Sequence, residues 1–437
     1  MIASFRVYLL LLLGLAIVLP LSIFGFLPPL QLVGILLIFD FVVLLVTLWD
    51  ARRTKADRVS VEWHRLDRLS IGRDNPVTLQ VRSGKRPAEV QLRDDYPQQF
   101  AVSAPQLQAI LPPNTTEDLS YTIHPDRRGE FHWGNLQVRQ RSPWKLAWHS
   151  WKVDQDQAVA VYPDLIGLRS LSIRLTLEST GSIRRARRLG AGTEFAELRE
   201  YGIGDDPRFI DWKATARRGQ PLVRVLEPDQ EQTLIILLDR GRLMTARVQG
   251  LTRFDWGLNA TLSLALAGLH RGDRVGVGVF DRQMHTWVPP ERGQQHLNHL
   301  LERLTPIEPA LLEPDYLGAV TTIANQQTRR ALVVLITDLV DTTASSELLA
   351  ALGRLAPRYL PFCVTLRDPQ LDRQAQTVST DIPATYARAV AIDLIAQRQI
   401  AFEQLKQQGV LVLDAPANQI SEELVDRYLQ LKARNKL

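Results

Sequence analysis

Cysteine is almost missing: the 437-residue chain has one, Cys363. That excludes an intrachain disulfide framework. In the apolar run PFCVTL the lone thiol is expected to be an inert core residue. There is no GxSxG nucleophile elbow, and no histidine lies near Cys363 in sequence, so nucleophilic hydrolysis has no support. Gly190-x-Gly192-Thr193 looks like a fragment of a phosphate loop. It lacks both the preceding apolar strand and a following Gly-Lys-Ser/Thr, so it reads as a tight turn. His64, His124, His132 and His149 have no metal-ligand spacing and read as structural or surface residues. No recognised nucleic-acid motif accompanies the mild net charge of +5 and pI near 9.4. Much of the basic excess lies beside an apolar N-terminal stretch, which fits attraction to an anionic leaflet.

What is present divides the chain into two or three domains. Residues 5–27 and 30–49 are apolar runs, each long enough for a membrane-spanning helix. The break at Gly25 through Pro29 has no charge, so the pair (1–52) is expected to be a transmembrane hairpin. Arg6 precedes it, and Arg52, Arg53, Lys55 and Arg58 follow, which puts both ends in the cytoplasm by the positive-inside rule. A cleaved signal peptide is the competing reading; a second spanning run follows at once and no small-x-small site precedes it. Asp40 falls near the middle of the second run. It reads as a protonated or helix-paired carboxyl that aids packing, against the alternative of ion conduction.

Residues 53–163 look all-β. VSVEWHRL, NPVTLQVRS, AEVQLRDDYP, DLSYTIHP, FHWGNLQVRQ and QAVAVYP alternate apolar and polar residues between Gly, Pro and Asn breaks. An immunoglobulin-like sandwich is expected, without the antibody-type bridge. Trp133, Trp144, Trp148 and Trp151 are assigned to core and edge packing in preference to a binding platform.

Residues 164–228 form a linker and a dense segment. Arg184, Arg185, Arg187 and Arg188 make a basic knot, either for lipid phosphates or an acidic partner, or simply solvated and paired with the following acids. After it comes GAGTEFAELREYGIGDDPRFIDWKATARR, 190–218. Large apolar groups are interspersed with acids and arginines, so the apolar side can be buried only if the charges pair or stay wet. Asp211 and Trp212 are expected to clamp this segment onto the following domain, Trp212 as a buried anchor and Asp211 paired with Arg208 or Arg217. The rival is an exposed face for docking a partner.

Gly192, Glu194, Phe195, Leu198, Arg199, Tyr201, Gly204, Asp205, Asp206, Arg208, Ile210, Asp211, Trp212, Ala216 and Arg217 together resemble the signature of the domain of unknown function 58 family. The resemblance covers roughly 190–275. It implies a membrane-anchored protein with a von Willebrand factor A-like domain, associated with MoxR-type AAA+ ATPases. No activity comes with it.

From 229 to 437 apolar strands alternate with helical periods. TLIILLD (233–239), RVGVGVF (274–280), MHTWVP, ALVVLITD (331–338), PFCVTL and VLVLD are strands. Helices are expected at 253–270, through GQQHLNHLLERL, at 315–327, near 345–356, near 385–408 and near 420–433. That order implies a doubly wound α/β domain with a parallel sheet. Ligands of such sheets bind beyond the carboxyl ends of the strands, where Asp239 and Asp338 fall. The resemblance would place Mg²⁺ there on Asp-x-Ser-x-Ser, a Thr and a second Asp. Gly241 and Leu243 replace both serines, and no Thr lies near Glu313-Pro314-Asp315. Two aspartates do not complete an octahedral oxygen shell, and a cation from the flanking Arg240 or Arg242 is expected to take the metal's place. Asp205, Asp206 and Asp211, interleaved with arginines, read as ion-paired structural acids.

The sequence therefore points to a multi-pass inner-membrane protein with its bulk in the cytoplasm. It would be a non-enzymatic adaptor or scaffold for a MoxR-type ATPase acting on membrane or envelope complexes, without cofactor, metal or nucleic acid. The rivals are a metal-dependent hydrolase or ligand-binding protein using Asp239 and Asp338, and a lipid- or nucleic-acid-binding module using the basic knot.

Overall fold

The computed structural model describes residues 2–23, 28–63, 68–154, 157–186, 194–203, 205–227, 232–339, 345–356, 358–378 and 381–434. The chain forms two compact units, Met1–Tyr162 and Pro163–Leu437.

The first unit begins with helices α1 (Phe5–Ile23) and α2 (Pro29–Ala56). Pro29 sits at the first turn of α2, where its missing N–H costs nothing. Arg53 and Lys55 in the last turn suit the negative end of the helix dipole. Leu30–Ala56 is long and apolar enough to cross a membrane; the apolar part of α1, Phe5–Leu21, is shorter. α2 runs past the expected end at 49 because its polar tail is anchored. Asp50 accepts the Trp144 N–H at 3.3 Å, Trp49 meets the Trp144 ring at 5.2 Å, and Arg53 lies 3.4 Å from the Trp49 ring centre.

Among the described residues this unit has twelve short strands, counting the opening Ile2–Ala3, and they form three sheets. One sheet runs, in space, Ile2–Ala3, Ala147–Val153, Leu136–Arg141, Ala88–Arg93, Leu107–Leu111. A second runs Ser60–Trp63, Asn75–Arg82, Thr116–His124, Ala101–Val102, and a third Arg68–Ser70, Gln157–Tyr162, Gly129–Trp133. Asn75–Arg82 and Ala88–Arg93 bury every second residue, as period-two alternation requires. FHWGNLQVRQ, expected as one strand, is two in different sheets. The chain breaks at Gly134, whose N–H goes to the Asp95 carbonyl at 2.8 Å. Leu107–Leu111 and Ala147–Val153 were not expected; the first pairs with Ala88–Arg93, and the second with the preceding strand Leu136–Arg141 and with Ile2–Ala3. Trp133 is fully buried and donates to Asp94, which also accepts from Tyr121. Burial raises the Asp94 pKa against the pull of those two donors.

In the second unit, 164–186, within the expected linker, holds a helix. α3 (Leu165–Ala186) buries Leu168 and Leu175, packs on a later helix and leaves Ile173 and Leu177 outside. Two antiparallel strands follow, β1 (Glu194–Glu200) and β2 (Leu222–Glu227), with α4 (Trp212–Arg218) between them. The main sheet has β3 (Thr233–Asp239), β4 (Arg274–Phe280), β5 (Met284–Glu291), β6 (Leu332–Thr337), β7 (Leu360–Arg367) and β8 (Leu411–Pro416), in spatial order β5-β4-β3-β6-β7-β8. All neighbours are parallel except β5, the MHTWVP strand, which returns antiparallel at one edge.

Helices cover both faces. Ile235, Leu237, Val333 and Leu335 point into one core with α7 (Tyr316–Gln326), α8 (Ser346–Leu355) and α10 (Ile382–Gln407). On the other face lies α5 (Arg253–His270), opened by a Thr252/Asp255 capping box. Gly257 and Gly268 let α5 approach: a Cβ at either would meet Leu238 or Val275 at 2.9 Å. α6 (Gln294–Leu304) and α11 (Ile420–Ala433) also pack on α5. α9 (Pro369–Gln376), capped by Asp368, was not expected.

Candidate functional site

β3 and β6 carry Asp239 and Asp338 to the carboxyl edge of the sheet, at the point where the chain leaves β3 to either side. Asp239 is fully buried. Its Oδ1 accepts the Gly241 N–H at 2.7 Å, and its Oδ2 accepts the hydroxyls of Thr337 at 2.6 Å and Tyr316 at 3.2 Å. Burial pushes its pKa up to about 6, against those donors. Gly241 is required where it stands: a Cβ there would come within 2.8 Å of the Leu312 carbonyl and 2.9 Å of Asp239. A serine therefore has no room against Leu312 and Pro314.

Asp338 is held by two arginines. Its Oδ2 lies 2.6 Å from Arg253, and its Oδ1 accepts from Arg398 at 2.8 Å and from the Leu339 N–H at 2.9 Å. Arg398 also reaches Asp414 at 2.8 Å, and Arg367 bridges Asp414 and Asp372 at 3.8 and 3.2 Å. Burial works against the Arg398 charge, but Asp338 and Asp414 outweigh it and its pKa rises. The flanking arginines expected here act elsewhere: Arg240 pairs with Asp281 at 3.1 Å and Arg242 with Glu313 at 2.7 Å. The cations that reach the edge come instead from the start of α5 and the middle of α10. Neither had a signal in the sequence. Cys363, on β7, is buried and its thiol is pushed up to about 12. Among the described residues no group of three or more His, Cys, Asp or Glu is placed to hold a metal ion.

The signature folds on itself. Gly192 and Gly204 lie outside the described residues, as do Arg187, Arg188 and the side chains of Arg184, Arg185, Glu194 and Phe195. Arg199 pairs with Asp205 at 2.5 Å, and Asp205 also accepts the Gly202 N–H at 2.8 Å. Asp206 accepts the backbone and guanidinium of Arg208, the shortest contact 2.7 Å. Asp211 caps α4 by accepting the Ala214 N–H at 3.0 Å and pairs with Arg224 at 2.9 Å. These contacts hold the carboxyls below the usual range: the Gly202 N–H and Arg199 for Asp205, Arg208 for Asp206, the Ala214 N–H and then Arg224 for Asp211.

Two expectations are corrected. Asp211 pairs with Arg224 on β2, neither with Arg208, which Asp206 holds, nor with Arg217, exposed in the last turn of α4. Trp212 is no buried anchor. It is 71% exposed, and Leu198, Tyr201, Ile203 and Phe209 are exposed as well. Among the described residues, the buried apolar residues of the hairpin are Leu222 and Val223 on β2, and Ile210 bridges to Val223.

Other expected residues have local duties. Trp144 is half exposed against Trp49, Trp151 lies beside His149 and Arg58, and Arg141 lies over Trp148. His124 meets Asp74, and His64 lies outside the described residues. The Oδ1 of Asp40, within α2, has no hydrogen-bond partner among the described residues.

Residues 197–376, from β1 through α9, match the family described as "Protein of unknown function DUF58". Uncharacterized proteins of Mycobacterium bovis (Mb1516) and Mycobacterium tuberculosis (Rv1480) are 26% identical over 209 residues, 47% of this chain and 65% of theirs. The uncharacterized protein YeaD of Bacillus subtilis is 25% identical over 186 residues, 43% of this chain and 44% of its own. The chain thus spans less than two thirds of these relatives. Among solved structures, the conserved hypothetical protein BatB from Bacteroides thetaiotaomicron aligns over 46% of this chain and 99% of its own at 15% identity, with a TM-score of 0.32.

Proposed function

We propose that this chain, which carries a DUF58 domain over residues 197–376, is a membrane-anchored, non-enzymatic adaptor. In this reading α1 and α2 form a two-pass anchor and the rest faces the cytoplasm. The N-terminal sheets are an immunoglobulin-like sandwich, and the C-terminal body is von Willebrand factor A-like. The partner is a MoxR-type AAA+ ATPase acting on membrane or envelope complexes. No nucleic acid or cofactor enters.

The observation that carries it is a contrast within the second unit. At the sheet edge, both carboxylates are engaged by the chain's own donors, so little is left for a substrate. On the hairpin, Trp212, Phe209 and Ile203 are exposed beside charges already paired with each other. Exposed aromatics framed by satisfied polar groups are what binding hot spots are made of. The test uses the full chain in detergent micelles and a purified MoxR-type ATPase from the same cell. The wild type is expected to capture the ATPase. Phe209→Ala with Trp212→Ala is expected to abolish capture with unchanged melting. A wild type that captures nothing, or a double variant that captures as well, overturns the reading. The topology is tested separately by protease on intact spheroplasts, where digestion of the body past Arg52 counts against a cytoplasmic location.

A further inference from the structure

The amino-terminal edge of the parallel sheet, opposite Asp239 and Asp338, holds a cavity of about 410 Å³. That is the size of a small-ligand site. Arg274, Arg329 and Arg330 line it, with Thr233, Gln327 and Thr328. The strand register brings them together. Arg274 opens β4 beside Thr233 of β3, and Leu234 of β3 pairs with Leu332 of β6, two residues after Arg330. Strands stand about 4.8 Å apart, so Arg274 at the start of β4 and the two arginines just before β6 straddle one opening on either side of β3.

Among the described residues no acid neutralises these arginines. Among the described residues neither Arg329 nor Arg330 makes an ion pair, and the Arg274 guanidinium makes a long 3.4 Å contact to the Pro290 carbonyl. Among the described residues no aspartate or glutamate lines the cavity. The buried Asp273, next to Arg274 in sequence, is taken by Lys432, Tyr428 and the Gln232 N–H. Capping the end of α7 does not need them either. Arg358 donates to the Thr328 carbonyl and Tyr359 to the Gln327 carbonyl, both at 2.5 Å. The cleft at the opposite edge is different: Glu308 is in its wall and its Arg240 is held by Asp281.

We propose that this cavity binds a small phosphate-bearing ligand, with Arg274, Arg329 and Arg330 as the anion-binding groups. Three guanidiniums repel one another, and a single carboxylate would leave two charges uncompensated. A phosphate monoester or diphosphate supplies at least two negative charges and several oxygens for bidentate donors. The threonines and Gln327 add uncharged hydrogen bonds. Two sources share this chemistry, a soluble phosphate compound and the headgroup of a phosphate-monoester lipid.

The experiment uses the full chain in nanodiscs of zwitterionic lipid. Pyrophosphate is titrated by calorimetry, and in a second arm the nanodisc contains phosphatidate and thermal stability is read. Binding in at least one arm is expected, and which arm responds names the source. Arg329→Ala with Arg330→Ala, both exposed, is expected to weaken binding at least tenfold while melting without ligand is unchanged. Arg303→Ala, in the opposite cleft, is expected to leave binding intact. Three results overturn the site: no response of the wild type in either arm, full affinity in the double variant, or an equal loss from Arg303→Ala, which would mean bulk charge only.

Discussion

The sheet edge and the hairpin use the same pair of side chains to opposite effect. Asp338 and Asp211 each sit at the end of an element and each meets an arginine. The Asp338 side chain is 2% exposed and its partners Arg253 and Arg398 are 18% and 10% exposed; Arg224, which holds Asp211, is 53% exposed. A buried carboxylate must be paired, since an orphaned charge is costly in low dielectric. A pair in water adds little and mainly fixes local geometry. The edge is therefore a closed device of the fold, and the hairpin is a rigid, solvated platform.

The largest test of that contrast is Asp338→Ala. It leaves Arg253 and Arg398 without their shared carboxylate and is expected to cost roughly 3–5 kcal/mol, read by denaturant melts of the full chain in micelles. A loss below about 1 kcal/mol would place the edge in the same class as a surface pair.

Next is the pH dependence of Asp239. Its pKa is 3.8 as a free side chain and about 6 in the fold, raised by burial with Asp338 adding to the rise. The folded state thus keeps a proton that the unfolded chain has lost. This group's contribution favours folding below pH 4, fades as pH rises, and is gone above about pH 6. The swing is roughly 2–3 kcal/mol. Asp239→Asn should remove it, so the stability difference between variant and wild type should climb in the variant's favour from pH 4 to 6. A flat difference would mean that Asp239 ionises as an ordinary carboxyl.

On the hairpin, Trp212→Ala is expected to change stability by under about 0.5 kcal/mol, as for an exposed residue. A loss of about 3–5 kcal/mol, the signature of a buried tryptophan, would restore the clamp and cancel the contrast. Asp211→Ala should fray α4 locally through loss of its cap, visible as faster amide exchange at Ala214 and Thr215 with global melting kept.

The smallest effect is expected from metal. Millimolar Mg²⁺ or Mn²⁺ should not move the melting temperature, because the Asp239 oxygens are engaged and Gly241 has no room for a hydroxyl-bearing side chain. Saturation at a hundredfold excess over the dissociation constant would add about 2.7 kcal/mol. Such a shift, lost in Asp239→Ala, would make the edge a metal site after all.

Much of the second unit was legible. β3 and β4, α5 and α11 begin and end where the apolar pattern predicts. Their strands are continuous apolar runs, and α5 opens on a capping box. The two strand-end aspartates were legible for the same reason. The hairpin was misread because its apolar residues were counted without knowing which face they take: Leu222 and Val223 go in, Trp212 and Phe209 go out. In the first unit, strands such as Leu107–Leu111 are too short to show a period, and only their partners make them strands.

The sequence by itself determined the apolar helices, the alternation of strands and helices, and the placing of Asp239 and Asp338 at one sheet edge. These follow from the repeat of the backbone, which is local and printed in residue spacing. Tertiary structure alone decided which cation meets which acid. Arg398 lies 60 residues from Asp338 and reaches it only because α10 and β6 share one core. Arg224 reaches Asp211 only because β2 returns beside β1. Whether such a pair stiffens a core or decorates a surface depends on how much water is left around it, and that is a property of the packed chain.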